Sequence, residues 1–282
     1  MSLEELIQLA LDEDLGNGDH TSRATIPLGV QGTSQLIAKE KGILSGIQVA
    51  EKVFHTVDAT LRVKPLKTDG DPVLPGDVLM EITGSSLSML SAERTALNFL
   101  QRMSGIATYT HSLVQKLQGL NTLLLDTRKT TALNRIVEKM AVTHGGGVNH
   151  RFGLYDMIMI KDNHIDFAGG VEQAIHRVRD YLTKNKLNLK IEIEARSFEE
   201  LDQILKAGDV DRIMLDNFTP ADLKKALAKI DGKYETEASG GITEDTLRAY
   251  AETGVDYISV GALTHRIKSL DISMKAAGDR QK

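Results

Sequence analysis

Arg128, Lys129, His150, Arg151 and Lys161 crowd into one stretch of a chain whose formal net charge is -5. They lie in D-T-R-K-T-T at 126–131, G-G-G-V-N-H-R-F-G-L-Y-D at 145–156 and I-K-D-N-H at 160–164. Positive groups concentrated in an acidic chain suit a small ligand with several negative charges, because they make charge-assisted hydrogen bonds to carboxylate and phosphate oxygens. Glu194 and Asp216 are the acidic counterweight. Carboxylates on neighbouring strands suit ribose hydroxyls, or Mg2+ carrying a pyrophosphate, held directly or through water. Glu192 is expected on the opposite strand face and is the weaker candidate. Ser239-Gly240-Gly241 and Ser259-Val260-Gly261 each precede an expected helix. Glycine there lets backbone N–H groups approach an anion, so Ser239, Gly240, Val260 and Gly261 are candidate phosphate contacts. The three glycines at 145–147 read as a flexible lead into His150 and Arg151. Each residue also has a structural reading: turn glycines, capping carboxylates, a packed histidine. His20, His144 and His164 stay ambiguous and take no catalytic role.

These side chains need elements to bring them together. From about Leu120, short apolar runs at Leu123–Leu125, Met157–Ile160, Ile191–Ile193, Ile213–Leu215, Tyr234–Ala238 and Tyr257–Val260 alternate with helical patterns. The helices are expected at Leu133–Val142, Val171–Lys184, Phe198–Lys206, Pro220–Ile230 and Glu244–Glu252. Such alternation signals parallel βα units, arranged as a closed or nearly closed barrel, with a doubly wound open sheet as the alternative. Nearly every run ends in a polar residue or glycine, and in βα barrels that rim carries the active site. The preceding hundred or so residues are patterned differently. A short amphipathic helix leads into extended runs at Gln35–Lys39, Leu61–Pro65 and Val78–Ile82, separated by turns. A helix over Ser88–Met103 follows, with a stripe of Leu87, Leu90, Arg94, Leu97 and Gln101. Arg94 stands there where a leucine is expected, either as a packed stem with its head in solvent or as a group delivered to an interface or site.

Composition narrows the classes. The 282 residues contain no cysteine, which excludes disulfides, thiolate catalysis and zinc–thiolate or iron–sulfur sites. No H-E-x-x-H, G-x-G-x-x-G or P-loop motif occurs. The acidic balance and 4% aromatic content lack the footprint of a nucleic-acid binder. The N-terminus does not read as a signal peptide and no apolar run approaches the length of a membrane helix, so a cytoplasmic protein is expected.

Taken together, the motifs resemble the quinolinate phosphoribosyltransferase family, also called nicotinate-nucleotide pyrophosphorylase (carboxylating). The resemblance runs in order through G-N-G-D-H-T-S at 16–22, S-A-E-R-T-A-L-N-F-L-Q-R-M-S-G-I-A-T at 91–108 and L-D-T-R-K-T-T at 125–131. It continues through the glycine-led segment at 145–156, I-K-D-N-H, I-E-I-E-A at 191–195 and M-L-D-N-F at 214–218. E-A-S-G-G-I-T at 237–243 and V-D-Y-I-S-V-G-A-L-T-H at 255–265 complete it. It implies an α/β fold: an incomplete parallel α/β barrel over 107–265 and an N-terminal α/β sandwich domain over 1–106, with the tail 266–282 packing on the latter. It also implies a homodimer, or an assembly of dimers, with shared active sites.

The implied reaction transfers phosphoribosyl from phosphoribosyl pyrophosphate to quinolinate, releasing pyrophosphate and CO2 and leaving nicotinate mononucleotide for NAD biosynthesis. By resemblance Arg94 (from the partner subunit), Arg128, His150, Arg151 and Lys161 hold quinolinate. Lys129, Glu194, Asp216, Ser239, Gly240, Val260 and Gly261 hold phosphoribosyl pyrophosphate, and Glu194 and Asp216 face the Mg2+ cofactor. Lys129, Lys161, Glu194 and Asp216 are the catalytic set. One departure is Ala132-Leu133, where the family commonly has Pro-Gly. Another phosphosugar enzyme on a barrel would want a Schiff-base lysine or a tuned general base. A molybdenum-transport-associated group shares T-R-K-T without the other wording, and a non-catalytic binding protein would not need the whole charged set.

Overall fold

The computed structural model describes residues 1–277, in two units. The first takes Met1–His111, Thr130–Gly146 and residues 262–277; the second takes Ser112–Lys129 and Gly147–Gly261.

In the first unit, α1 (Leu3–Leu15) opens with a capping box in which Ser2 and Glu5 satisfy each other's backbone N–H groups. After α2 (His20–Thr25) come β1 (Gln31–Ala38), β2 (Gly42–Ile43), α3 (Ile47–Val57), β3 (Arg62–Pro65), β4 (Pro72–Val73) and β5 (Val78–Ser85). Strand β1 buries Ser34, Leu36 and Ala38 and leaves the intervening side chains partly open, the period-two alternation of a sheet covered on one face. The sheet is antiparallel, in the order β12-β1-β5-β3, and its edge strand β12 (Ile272–Ala276) comes from the far end of the chain. Of the tail expected to pack here, residues 278–282 lie outside the described residues.

Helix α4 runs over Ser86–Lys116, well past the expected end at Met103. Its buried face carries Met89, Ala92, Ala96, Leu100, Met103 and Ala107 at helical spacing. The expected stripe is therefore out of phase: Leu97 is buried, but Leu90 and Arg94 are exposed. The alanines, too small to register as a stripe, line the true face. Helices α5 (Arg135–His144) and α11 (Ala262–His265) also belong to this unit. Of the three glycines expected to be flexible, Gly145 is tightly placed, since a Cβ on it would stand 2.5 Å from the Ala107 carbonyl oxygen of α4.

In the second unit, β6 (Leu123–Leu125), β7 (Ile158–Ile160), β8 (Ile191–Ala195), β9 (Arg212–Asp216), β10 (Glu235–Ser239) and β11 (Tyr257–Ser259) form one parallel sheet. The order β6-β11-β10-β9-β8-β7 leaves β6 and β7 as edges that do not pair with each other, so the barrel is incomplete. Helices α6 (Asp162–Ala168), α7 (Val171–Asn185), α8 (Phe198–Ala207), α9 (Pro220–Ile230) and α10 (Leu247–Ala251) connect the strands. Ser197 and Thr219 cap α8 and α9 by accepting from the backbone N–H three residues on. One face of each central strand is aliphatic: Ile191 and Ile193, Ile213 and Leu215, Ala238, Ile258, all buried. The other face is charged or polar: Glu192 and Glu194, Arg212 and Met214, Glu237 and Ser239. Glu192 and Glu194 share that face because they are two residues apart on one strand. The expectation that Glu192 points the other way is thus corrected. Among the described residues, no helix is long and apolar enough to cross a membrane.

Candidate active site

A cavity of about 340 Å3 opens at the C-terminal ends of the strands in the second unit. Arg128 and Lys129 reach it from the segment after β6, His150 and Arg151 from the loop before β7, and Lys161 from the end of β7. Ser239 and Ser259, the last residues of β10 and β11, complete the polar lining.

Buried Asp126 shapes this end of the sheet. Its carboxylate accepts the His150 backbone N–H at 2.8 Å, and its own N–H donates to the Val148 carbonyl at 3.1 Å. The loop is thereby tied to β6, and the two cationic segments enter the cavity side by side. Arg151 is partly buried, and burial together with the neighbouring Arg128 lowers its pKa. Repulsion between two guanidiniums in one cavity is what an anion arriving there would relieve. Asp156 accepts the backbone N–H groups of Phe152 and Gly153, at 2.6 and 2.8 Å, and closes the loop.

Lys161 faces the carboxylates. Its Nζ lies 3.9 Å from Glu194 Oε2. Burial raises the pKa of both Glu194 and Asp216, and Lys161 works against that rise in both. Lys129 also lowers the Asp216 pKa, so it shares that field. Four sequence candidates, Lys129, Lys161, Glu194 and Asp216, thus interact electrostatically at one rim. Asn163 and His164, polar residues that follow the Met157–Ile160 run, sit in the first turn of α6, where His164 Nδ1 accepts the Lys161 backbone N–H at 2.9 Å.

The candidate phosphate contacts fall at the ends of β10 and β11. Gly240 has φ 95°, and a Cβ there would run into the Asn217 side chain, so glycine is required. Helix α11 follows Gly261 directly, but α10 begins at Leu247, behind a turn held by Thr243 and Thr246. The expected helix after Gly241 therefore starts later than 244. Val260 is buried, which leaves its backbone rather than its side chain as the possible contact.

Arg94 stands exposed on α4 of the first unit. His20 lies beside Asn17, and His144 Nδ1 pairs with the Ser45 hydroxyl at 2.8 Å, both within the first unit.

The sequence reading missed what lies below the cavity. His150 was expected to grip a ligand, but its ring is turned inward. Nε2 lies 2.9 Å from Glu192 Oε2 and 3.3 Å from Glu237 Oε2, while Nδ1 accepts the Arg151 backbone N–H at 2.6 Å. Both carboxylates are fully buried. Arg212 joins them from β9, its Nη1 lying 3.4 Å from Glu237 and 3.9 Å from Glu192 and its guanidinium 4.0 Å from the Tyr257 ring centroid. The signal was present in I-E-I-E-A and E-T-E-A-S, where a glutamate every second residue marks a charged inner face.

Against this geometry the comparisons with known proteins are decisive. Residues 19–104 match the family model described as the N-terminal domain of quinolinate phosphoribosyl transferase, and residues 106–275 match that of its C-terminal domain. The chain belongs to the quinolinate phosphoribosyltransferase family. It is 46% identical to the Nicotiana glauca protein named quinolinate phosphoribosyltransferase [decarboxylating] 2, mitochondrial, over 97% of this chain and 82% of that one. It is 43% identical to the Arabidopsis thaliana protein named nicotinate-nucleotide pyrophosphorylase [carboxylating], chloroplastic, over the same shares. Among solved structures, NadC from Streptococcus pyogenes superposes with a TM-score of 0.92 at 40% identity, over 98% of this chain and 97% of that one.

These names also overturn one expectation. Family members named mitochondrial and chloroplastic show that membership is not confined to the cytoplasm, so the cytoplasmic assignment drawn from the N-terminus does not stand.

Proposed function

We propose that the cavity at the end of the second-unit sheet is where the family reaction takes place. The reaction is that of a decarboxylating pentosyltransferase: quinolinate and phosphoribosyl pyrophosphate give nicotinate mononucleotide, pyrophosphate and CO2, a step of NAD biosynthesis. The observation that carries the placement is the convergence of Arg128, Lys129, Arg151 and Lys161 on one cavity, with Glu194 and Asp216 facing Lys161.

Quinolinate is a dicarboxylate, and the planar fork of arginine can donate two hydrogen bonds to each carboxylate. Arg128 and Arg151 supply those forks. Lys161 stands between this clamp and the carboxylates, and Lys129 is placed to meet the pyrophosphate. Glu194 and Asp216 face the ribose, where negative charge stabilises the oxocarbenium character that develops as the C1–oxygen bond to pyrophosphate breaks. The pyridine nitrogen forms the new bond to C1 and becomes cationic. That charge holds the electron pair left on the ring carbon when the adjacent carboxylate departs as CO2, and a proton then takes its place. Backbone at Ser239, Gly240, Val260 and Gly261 receives the 5′-phosphate.

The hard oxygens of Glu194 and Asp216 fit Mg2+, which when bound offsets charge on the departing pyrophosphate. Arg94 completes the quinolinate clamp of a neighbouring subunit in a homodimer, which accounts for an exposed arginine on α4.

The direct test supplies quinolinate, phosphoribosyl pyrophosphate and Mg2+ and seeks the mononucleotide by mass, with nicotinate replacing quinolinate as control. Arg151→Ala should raise the quinolinate KM by at least about tenfold, given the 1.5–3 kcal/mol typical of a charged hydrogen bond, while the protein stays folded. Unchanged quinolinate kinetics would remove the clamp.

A further inference from the structure

Two fully buried carboxylates directly below a pocket for a dianion need an explanation. Left uncompensated, Glu192 and Glu237 would repel the ligand and carry a heavy desolvation cost. Arg212 offsets part of that charge, although its nearest carboxylate is Glu235 at 2.9 Å, and a proton near His150 offsets more. Lys190 in turn pairs with Glu235 at 3.4 Å, so with that proton the cluster of His150, Glu192, Glu237, Arg212, Glu235 and Lys190 is neutral. The same His150, Glu192 and Glu237 atoms would suit a metal ion by type, but Arg212 already supplies a cation there.

The ring reads from both ends. Its Nε2 faces the two carboxylates and its Nδ1 accepts the Arg151 N–H, so it spans from the pocket floor to the backbone of a clamp residue. The groups around it are Glu192 on β8, Arg212 on β9, Glu237 on β10, Asp126 after β6, and Arg151 itself. Burial works against a charged ring, but the two glutamates outweigh it and hold the His150 pKa up at about 9. The Arg151 amide aimed at Nδ1 instead favours a neutral ring with its hydrogen on Nε2. That neutral form is the one the Nδ1 contact requires, since a doubly protonated ring has no lone pair there to accept the amide; the second proton then belongs to the carboxylate pair, where burial beside Glu237 raises the Glu192 pKa to about 7.

We propose that Glu192 and Glu237 are positioning residues for the quinolinate clamp. They hold His150 Nε2 from the floor, so that His150 Nδ1 holds the Arg151 amide and sets the angle at which the Arg151 guanidinium enters the cavity. The Arg151 head is steadied at its other end by the Met157 carbonyl, which accepts from Nη1 at 3.2 Å. The chain of contacts is carboxylate pair, imidazole, backbone amide, guanidinium, all inside the second unit. This inference rests on the cavity being the quinolinate site.

The test uses the full chain with Glu192→Gln and Glu237→Gln, which keep shape and remove charge, beside Arg128→Ala as a direct clamp variant. Kinetics are measured against each substrate, and 15N-histidine spectra are taken of the unmodified protein, assigned with His150→Gln. The expected result is a quinolinate KM raised about tenfold in each glutamine variant, a scale usual for partners that orient a ligand-binding side chain. The KM for phosphoribosyl pyrophosphate should stay within about twofold of its original value, and His150 Nε2 should be protonated throughout about pH 6–8. Equal rises in both KM values would show a merely structural role and overturn the proposal. So would unchanged quinolinate kinetics in both variants while Arg128→Ala is impaired. If the glutamine variants fail to fold, the spectrum of the unmodified protein decides: a proton on Nδ1, whether the ring is neutral or charged, sinks the idea. If Arg128→Ala itself leaves quinolinate binding intact, the cavity reading fails and the proposal falls with it.

Discussion

At the residue scale, His150 shows how far a side chain's partners outweigh its type. Beside Arg128 and Lys161 in the sequence it reads as one more cationic grip. In the fold it is the hinge pin of a buried charge cluster. Its pKa, held at about 9 by Glu192 and Glu237, lies above the 6.5 of a free histidine. A raised folded-state pKa contributes stability that is fully present below the unfolded value and is lost as pH rises through the folded one. The unmodified protein should therefore lose on the order of 1–3 kcal/mol between about pH 7 and pH 9.5, as the cluster of His150, Glu192 and Glu237 gives up its extra proton, that His150→Gln does not lose. Denaturant midpoints of the two proteins across that range check it, and parallel curves would show that the ring carries no such linkage. The pKa values of Glu194 and Asp216 are raised too, and so carry the same sign, but there burial is the cause and Lys161 opposes the rise.

At the element scale, the strands were the more legible parts and the turns into helices the less. Strand β6 and helix α9 fall where the pattern places them, because Leu123–Leu125 is a pure apolar run and Thr219-Pro220 is a cap followed by proline at the first turn. Helix α6 is absent from the expected helices, since Asp162-Asn163-His164 shows only polarity after a strand, yet it forms the first turn of a helix. The Ala132-Leu133 departure has a local cost. Leu133 takes φ 66°, the left-handed region where glycine is comfortable, with its side chain 67% exposed. Such a conformation costs a leucine about 1–2 kcal/mol, partly offset by the chain entropy that glycine adds to the unfolded state. Leu133→Gly should therefore raise stability by about 0.5–1 kcal/mol, read as a higher denaturant midpoint at unchanged slope. A lower midpoint would mean that the leucine side chain contributes more than its backbone costs.

At the scale of the whole molecule, the proposed clamp takes Arg94 from a second copy of the chain. Arg94→Ala subunits mixed with Arg151→Ala subunits should recover part of the activity that each lacks alone, since a mixed dimer rebuilds one intact site of two. Recovery of up to about one quarter of normal activity is the expected ceiling when half the dimers are mixed and each holds one good site. Absence of recovery despite demonstrated subunit exchange would place Arg94 outside the site.

The sequence by itself determined the family, the strand–helix alternation and the identities of the charged residues at the strand ends, because these depend on local pattern and on ordered motifs. Only the tertiary structure decided which strand faces look inward, how Asp126 ties the cationic loop to β6, and that Glu192, Arg212 and Glu237 gather under His150. Those contacts join positions 126, 150, 192, 212 and 237, and burial sets their charges. Separation along a chain says nothing of the desolvation and pairing that such residues meet once the sheet curls around them.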